Sequence, residues 1–291
     1  MENEDLEIRT MNMFVTILGS GAALPTGARR CSAQMLNVNG QKVLIDCAEG
    51  TQDRIRQHHL KLQSIGHIVI LHLHGDHFFG LPGLLSTMHL CGRTEPITIV
   101  APKGARQVVE TTFELTGNHI GFEIDWHEMD FGEGCRRVLE TKRVVVDAFP
   151  IVHSVPTYGF RFTEVPRGGQ GPIGGPQAVE AVKPPSRPAV RPRTYAYCCD
   201  TAYTEALLPY VQGADVLCLE CTFANELEQL AAERLHLTAG QAGRLAAQAG
   251  VGRLLLTHIS ARYREPEILM QQAGAEFADC TIAEDGMRVE I

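Results

Sequence analysis

The sequence predicts a layered α/β fold. Short apolar stretches typical of strands alternate with helical stretches along all 291 residues, and an apolar fraction of 44% is ordinary for a globular core. Polar side chains recur just past the ends of predicted strands, where the sites of layered α/β proteins gather. These side chains are Asp46, His72, His74, Asp200 and His258. We therefore expect two β-rich halves that face each other and bring all five together.

In the first half of the chain, apolar runs and turn residues predict the elements in order. Asn39-Gly40 lies between two apolar runs and predicts the turn of a β-hairpin. The polar stretch 49–59 predicts a helix, and a buried apolar strand follows it. Strands are predicted at 13–19, 35–38, 43–45, 68–71 and 97–100, and helices at 49–59, 81–90 and 104–115.

The second half of the chain repeats this alternation. Thr238, with Gln241 three residues later, predicts the capped start of an alanine-rich helix. His153 lies just past a predicted strand. Strands are predicted at 143–148, 194–199, 216–219 and 254–257, helices at 204–211, 238–249 and 266–273, and two short strands at the end.

Composition restricts the class of protein. The formal net charge of −8 excludes a nucleic-acid-binding surface spread over the whole chain, so an RNA contact would need a local basic patch and a cationic metal site. Nine cysteines, an odd number with no second Cys-x-x-Cys unit to pair with Cys218 and Cys221, predict buried free thiols and no disulfide framework. The acidic first five residues do not resemble a signal peptide, and no apolar run reaches the ~18 residues of a membrane span. We expect a cytoplasmic protein without a membrane segment.

One segment differs from the rest of the chain. Residues 167–193 are rich in glycine and proline and lack apolar periodicity, so they cannot pack a core. Their basic residues include Arg187 and Arg191, against the single acid Glu180. The segment is either a disordered surface loop or a basic arm that contacts a polyanion. We expect one domain over 1–291 with a short arm at about 164–193.

The stretch 72–77, His-Leu-His-Gly-Asp-His, carries the main functional signal. It places four potential metal ligands within six residues, directly after a buried strand. His72 and His74 can turn to one side, and Asp76 and His77 can serve a second point nearby. Four ligands cannot complete two sites, so distant residues must contribute. The alternative is a solvent-exposed polar loop.

This motif resembles that of the metallo-β-lactamase fold, and the other motifs resemble those of ribonuclease Z, the family of tRNA 3′-processing endonucleases. The resemblance extends from about residue 14 to residue 290. Its most specific part is the last motif, Leu-Thr-His-Ile-Ser-Ala-Arg-Tyr at 256–263. The remaining matches are at 18–21, 24–26, 45–52, 153–156 and 200–201.

The resemblance implies a four-layer αββα sandwich and two zinc ions per chain, with manganese as an alternative. One ion would be held by His72, His74 and His153, and the other by Asp76, His77 and His258. Asp200 would bridge both ions. Asp46 would lie behind the ligands and orient them by hydrogen bonds.

The resemblance also implies a mechanism. Two ions would share a hydroxide that attacks phosphorus, with Asp76 accepting the proton of the water. Glu220 and His236 match family residues that would protonate the leaving ribose 3′-oxygen. The alternative for His236 is a structural position before the helix capped by Thr238, and both roles are compatible.

Several positions depart from the family pattern. The first loop keeps Pro25 and Arg29 but lacks the usual lysine and asparagine, which leaves open whether a precursor ending in CCA is accepted. Leu219 replaces a histidine. The arm is short and carries arginine in place of spaced lysines, so we expect tRNA to dock weakly or differently. Relatives are usually homodimers, and a homodimer is expected here. The candidate RNA contacts are Arg29, Arg187, Arg191 and Arg262.

The leading hypothesis is therefore a zinc-dependent endoribonuclease that acts on precursor tRNA. A second hypothesis is a phosphodiesterase for small substrates such as a cyclic nucleotide. The short arm favours it slightly, whereas Glu220, His236 and the Arg262-Tyr263 ending oppose it. A third is a catalytically silent tRNA-binding subunit. The complete set of potential ligands opposes the third hypothesis.

Overall fold

Two β-sheets lie at the centre of the protein. The structure is a computed structural model that describes residues 13–166 and 191–291. Within these ranges each sheet has seven strands. The strands are Met13–Gly19 (β1), Ala33–Val38 (β2), Gln41–Ile45 (β3), Ile65–Val69 (β4), Ile97–Pro102 (β5), Ile124–Met129 (β6), Arg136–Glu140 (β7), Val144–Ile151 (β8), Thr157–Glu164 (β9), Thr194–Cys198 (β10), Val216–Glu220 (β11), Arg253–Thr257 (β12), Cys280–Ile282 (β13) and Arg288–Glu290 (β14).

The helices lie between these strands in the chain. They are Thr51–Gln57 (α1), Gly75–Phe78 (α2), Leu81–Leu90 (α3), Ala105–Thr116 (α4), Leu208–Val211 (α5), Glu228–Arg234 (α6), Ala239–Ala249 (α7) and Glu267–Glu276 (α8). Short 3-10 turns occupy Leu62–Ser64, Glu205–Leu207 and Asn225–Leu227. The predicted cap is confirmed, because Thr238 and Gln241 at the start of α7 form a reciprocal capping box. No helix in the described ranges is long and apolar enough to cross a membrane.

The two sheets share one arrangement. The first has the order β14-β1-β2-β3-β4-β5-β6, antiparallel from β14 to β3 and parallel from β3 to β6. The second has the order β13-β12-β11-β10-β9-β8-β7, antiparallel from β7 to β10 and parallel from β10 to β13. Parallel strands end at a common edge of their sheet, and ligands bind there.

The core has three apolar clusters that define four layers. The cluster between the sheets contains side chains of both, such as Val15, Leu36 and Phe160. A second cluster packs helix residues such as Leu245 against the second sheet. A third packs helix residues such as Leu84 against the first. This is the predicted αββα sandwich.

Most predicted elements are present with shifted ends, and five, among them the short helix α2, were not predicted. The strand predicted at 68–71 lies at Ile65–Val69, and the helix predicted at 204–211 is a 3-10 turn followed by the single turn of α5. The strands β6, β7 and β9 and the helix α6 were missed. β6 and β7 are edge strands with many exposed polar side chains, and α6 buries only Ala231. The sequences of these three elements therefore lack clear apolar periodicity.

The cysteines agree with the prediction of free thiols. All nine lie in the described ranges and none forms a disulfide there. Six are buried, whereas Cys91 and Cys135 are exposed and Cys280 is intermediate. The prediction that the thiols are buried is therefore wrong for these three cysteines.

An ion pair closes the base of the predicted arm. Residues 167–190 of the arm, including Arg187, lie outside the described residues. On either side, Thr163 pairs with Thr194 in the antiparallel register of β9 and β10. Arg193 Nη2 lies 2.6 Å from Glu164 Oε1, which also accepts a hydrogen bond of 2.8 Å from Asn39 Nδ2. Burial raises the pKa of Glu164, but the bonds from Arg193 and Asn39 outweigh it and lower the pKa.

Replacement of Glu164 by glutamine should lower the free energy of unfolding by about 1–3 kcal/mol at neutral pH, because a charge-assisted hydrogen bond is lost. The folded pKa of Glu164 is lowered, so its contribution is complete above the pKa of the unfolded carboxyl group and is lost as pH falls through the folded pKa. The difference between variant and wild type should therefore shrink in acid.

Denaturant unfolding at several pH values measures this difference. Glu140→Gln is the matched control, because Glu140 pairs with Arg137 at an exposed position. A Glu164→Gln difference that matches the control, or that does not change with pH, would contradict the prediction.

Candidate metal centre

The His-x-His-x-Asp-His motif leaves the end of β4 and enters the short helix α2. His72 and His77 are fully buried, while His74 and Asp76 are partly exposed. A loop was predicted for the whole stretch, but Asp76 and His77 lie on α2, whose N-cap is His74. His72 and His74 precede this helical turn, but the ring of His77 still lies 4.3 Å from that of His72, centroid to centroid.

The other three predicted ligands come from the second sheet. Asp200 follows β10, His258 follows β12, and His153 lies two residues past β8. All three lie next to the motif, so the structure brings the seven predicted ligands together. The site therefore spans the carboxyl-terminal edges of both sheets.

The first donor set contains three histidines and one oxygen of Asp200. His74 Nδ1 lies 3.1 Å from His72 Nε2 and 3.3 Å from His153 Nε2. Asp200 Oδ2 lies 3.7 Å from each of these Nε2 atoms. Four donors around a tetrahedral zinc ion at 2.0–2.2 Å would be separated by about 3.3–3.6 Å.

The second donor set contains the other oxygen of Asp200. Asp200 Oδ1 lies 3.2 Å from both His77 Nε2 and His258 Nε2. Asp76 Oδ2 lies 3.5 Å from His258 Nε2 and 3.8 Å from His77 Nε2. The carboxylate of Asp200 thus faces both sets, as a bridging ligand would.

The chemistry of these atoms fits divalent metal ions. His77 Nε2 and Asp200 Oδ1 are buried and form no hydrogen bond of good geometry within the described residues. Buried polar atoms without partners are rare in native proteins, and a bound ion explains them. Burial and the nearby His77 lower the pKa of His72 well below its ordinary value, which keeps its imidazole neutral and able to donate electrons to a metal.

Asp46 supports the second set from behind. Its Oδ2 lies 2.7 Å from His77 Nδ1, and its Oδ1 accepts the Leu71 N–H at 3.0 Å. An imidazole held at Nδ1 presents Nε2 to a metal in a fixed orientation. Asp46 therefore lies behind His77 and outside both donor sets, and its role in orienting a metal ligand stays a prediction.

Close backbone contact holds Asp46 against α2. Cys47 N donates to His77 O at 2.8 Å, and Gly80 N donates to Cys47 O at 2.9 Å. A Cβ atom at Gly80 would lie 2.0 Å from Ala48 O, so only glycine allows this approach. The backbone therefore fixes the distance over which Asp46 reaches His77.

Three site residues have left-handed backbone conformations. Asp46, Asp200 and His258 have φ angles of 57°, 55° and 57°, and each is at or next to the residue that follows a strand. Such angles are uncommon outside glycine, although aspartate and histidine adopt them more often than most residues. The abrupt turn directs each side chain back over the edge of its sheet.

Glu220 and His236 form the predicted pair beside the metal centre. Glu220 Oε1 lies 2.9 Å from His236 Nδ1 and accepts the Thr201 N–H at 2.7 Å. Burial lowers the pKa of His236, but the Glu220 carboxylate outweighs it and raises the pKa to about 9. The rings of His153 and His258 lie 5.4 Å from that of His236, centroid to centroid.

Sequence reasoning missed several residues that contact the site. Thr222 Oγ1 lies 2.9 Å from His258 Nδ1 and donates to Glu220 at 2.6 Å. The thiol of Cys199 lies within the group formed by His77, Asp200 and His258. The signal for Cys199 was its place beside Asp200, where the family has glycine. Nothing in the sequence around Thr222 indicates a contact with His258.

The arginines predicted to contact RNA have protein partners where they are described. The guanidinium of Arg29 donates to Ser20 Oγ at 2.6 Å and to the carbonyl of Ala283. Arg191 pairs with Asp215. Arg262 lies over the ring of Phe223, 5.3 Å from its centroid.

A cavity of about 470 Å³ lies between the first loop and the segment after His258. Arg29, Ser260, Tyr263 and Arg264 are among the residues that line it. The first loop also contacts the metal centre, because Ala23 N donates to Asp76 Oδ2 at 2.9 Å. The cavity is therefore lined by two arginines among polar and apolar residues, and it lies next to the second donor set.

Comparison with known proteins gives matches over almost the whole chain. Residues 41–259 match the model of the β-lactamase superfamily domain. A ribonuclease Z from Bacteroides fragilis is 34% identical over 298 residues, which cover 94% of this chain and 98% of that protein. A ribonuclease Z from Methanosarcina acetivorans is 37% identical over 303 residues, with coverages of 95% and 97%. The crystal structure of human tRNase Z, short form, is similar with a TM-score of 0.76 and 31% identity, and covers 95% of this chain and 98% of the human chain.

The Asp200→Asn variant should lose affinity for zinc at both donor sets, because it removes a charge that both share while keeping a residue that tolerates the left-handed backbone. We expect zinc affinity to fall at least roughly tenfold. Loss of a residue that only orients a metal ligand already lowers metal affinity by about 10–100-fold. Competition with a chromogenic chelator measures the affinity.

Asp125→Asn is the matched control, because Asp125 contacts His127 on the exposed surface. Equal zinc affinity in the two variants would show that Asp200 holds no metal.

Proposed function

Because this chain belongs to the ribonuclease Z family, we propose that it is a metal-dependent endoribonuclease that hydrolyses a phosphodiester bond at the 3′ end of precursor tRNA. The observation that carries the proposal is the buried Asp200 carboxylate, whose two oxygens face two complete donor sets. A silent RNA-binding relative would have no need of both sets.

The donor sets support a pair of zinc ions, with manganese as the alternative. Imidazole nitrogen and carboxylate oxygen are ligands that zinc prefers. When bound, such ions lower the pKa of a water molecule and stabilise negative charge on the phosphate. In the proposed assignment, one ion is held by His72, His74 and His153, the other by Asp76, His77 and His258, and Asp200 contributes an oxygen to each.

Asp76 is suited to accept a proton from the attacking water. Its side chain is 13% exposed, compared with 4% for Asp200, so it lies on the open side of the centre. The Ala23 N–H bonded to Oδ2 fixes its orientation. A carboxylate held beside the attacking water can act as a general base.

His236 is suited to protonate the leaving ribose 3′-oxygen. The contact between its Nδ1 and Glu220 leaves Nε2 as the atom that can donate a proton. The side chain of His236 is 15% exposed, and its ring adjoins both His153 and His258. The acid would then lie beside both donor sets.

The substrate contacts must be local, because the chain is acidic overall. We propose that the cavity lined by Arg29 and Arg264 receives a nucleotide next to the scissile phosphate. Phosphate contacts of this kind weaken as salt rises. We further propose that the enzyme acts in the cytoplasm as a homodimer. The basic residues of one arm are too few to hold tRNA, and those of a second subunit would add to them.

End-mapped cleavage of 3′-extended precursor tRNAs, with and without CCA, tests the proposed function. We expect metal-dependent cleavage at the 3′ end of the tRNA body and much slower hydrolysis of a small aryl phosphodiester. Turnover of the small diester without cleavage of tRNA would identify a small-substrate phosphodiesterase. Absence of both activities, with less than about one zinc per chain, would identify a silent subunit.

The Asp76→Ala variant should cleave precursor tRNA about 10²–10⁴-fold more slowly, because a general base is lost along with a metal ligand. Binding of the tRNA should change little, since Asp76 carries no positive charge. Single-turnover cleavage and a filter-binding assay separate these effects. Asp53→Ala, at an exposed position in the first turn of α1, is the control.

The His236→Ala variant should slow cleavage of precursor tRNA about 10²-fold or more, because the 3′-oxygen leaves poorly without a proton. It should slow hydrolysis of bis(p-nitrophenyl) phosphate far less, because p-nitrophenolate leaves unprotonated. Kinetics on both substrates measure the contrast, with the exposed His119→Ala as control. Equal losses on both substrates would refute the role of His236 as the acid.

A further inference from the structure

Two tyrosine hydroxyls cross the apolar interface between the sheets. Tyr195 and Tyr197 are two residues apart on β10, so both side chains point from the second sheet towards the first. Both are fully buried. Tyr195 Oη donates to Gln34 Oε1 at 2.5 Å, and Tyr197 Oη donates to Asp46 Oδ2 at 3.1 Å. Each hydroxyl therefore joins the two sheets by a hydrogen bond.

The contact of Tyr197 leads directly to the metal centre. The Asp46 oxygen that it bonds is the one 2.7 Å from His77 Nδ1. The other nitrogen of this imidazole lies 3.2 Å from Asp200 Oδ1. Because Tyr197 and Asp200 belong to β10 and the residues just after it, these contacts form a closed loop between the sheets.

We propose that Tyr197 is a positioning residue that fixes His77 against Asp200 for metal binding. Among the described residues, the buried Asp46 side chain has three partners, which are Leu71 N–H, His77 Nδ1 and the Tyr197 hydroxyl. Loss of the hydroxyl removes the one partner that comes from the second sheet. The carboxylate can then rotate, and the imidazole that it orients follows. The inference rests on the proposed role of His77 as a ligand.

Tyr195 provides a matched comparison within the same strand. It has the same side chain, face and burial, and its hydroxyl also ends on a polar group of the first sheet. Its acceptor Gln34 donates in turn to Cys218 Sγ at 3.3 Å, and this path reaches no proposed ligand. A purely structural effect of losing a cross-sheet hydroxyl should therefore appear in both positions.

The experiment compares Tyr197→Phe with Tyr195→Phe in the full chain. Zinc affinity is measured by chelator competition, and unfolding of the metal-free protein is measured in parallel. We expect Tyr197→Phe to weaken the binding of one zinc ion roughly tenfold, as the loss of other groups that orient metal ligands does. The zinc affinity of Tyr195→Phe should stay within about twofold of that of the wild type. Both phenylalanine variants should lower the unfolding midpoint of the metal-free protein by a similar amount. Excess zinc should restore cleavage by Tyr197→Phe.

A double-variant cycle tests whether Tyr197 acts through Asp46. Addition of Tyr197→Phe to Asp46→Asn should then change zinc affinity little further. Equal zinc affinities of the two phenylalanine variants, or additive effects in the cycle, would overturn the inference. A wild-type protein that binds zinc but leaves precursor tRNA intact would refute the proposed function, and the difference between the two phenylalanine variants would still decide the role of Tyr197.

Discussion

The candidate metal centre is organised around the buried carboxylate of Asp200. Asp200 is buried, and burial alone would raise its pKa, but the imidazoles of His258 and His77 lower the pKa well below its ordinary value. Its two oxygens are divided between donor sets that come from both sheets. The sheets must therefore approach each other closely at this edge. The contact between Tyr197 and Asp46 joins the two sheets directly behind His77.

The sequence was sufficient for the layered fold but not for every strand. Central strands such as β10 and β11 are buried along their whole length, and their sequences are largely apolar. The edge strands β6 and β7 expose much of their length, so their sequences lack that signal. Their places are set by pairing with β5 and β8, which no local pattern records.

The candidate site shows the same division between local and distant information. The stretch 72–77 concentrates four candidate ligands within six residues and could be recognised from the residues alone. His153 and His258 needed the family resemblance, because a lone histidine after a strand has no distinctive spacing. Tyr197 and Thr222 could not be found at all, since their contacts depend on how the two sheets pack. Residues that support ligands are thus the least visible in sequence.

The paired ends of β9 and β10 also bear on how such enzymes diversify. Thr163 lies opposite Thr194, and the ion pair of Glu164 with Arg193 joins the two strands where the chain leaves and re-enters the sheet. A flexible segment inserted between these strand ends would cost little, since each doubling of a flexible loop adds only about 0.6 kcal/mol of closure entropy. This junction is therefore a suitable place to exchange substrate-recognition segments between related proteins, or to graft a foreign RNA-binding peptide. Neither change would alter the sheet edge that carries the candidate metal centre.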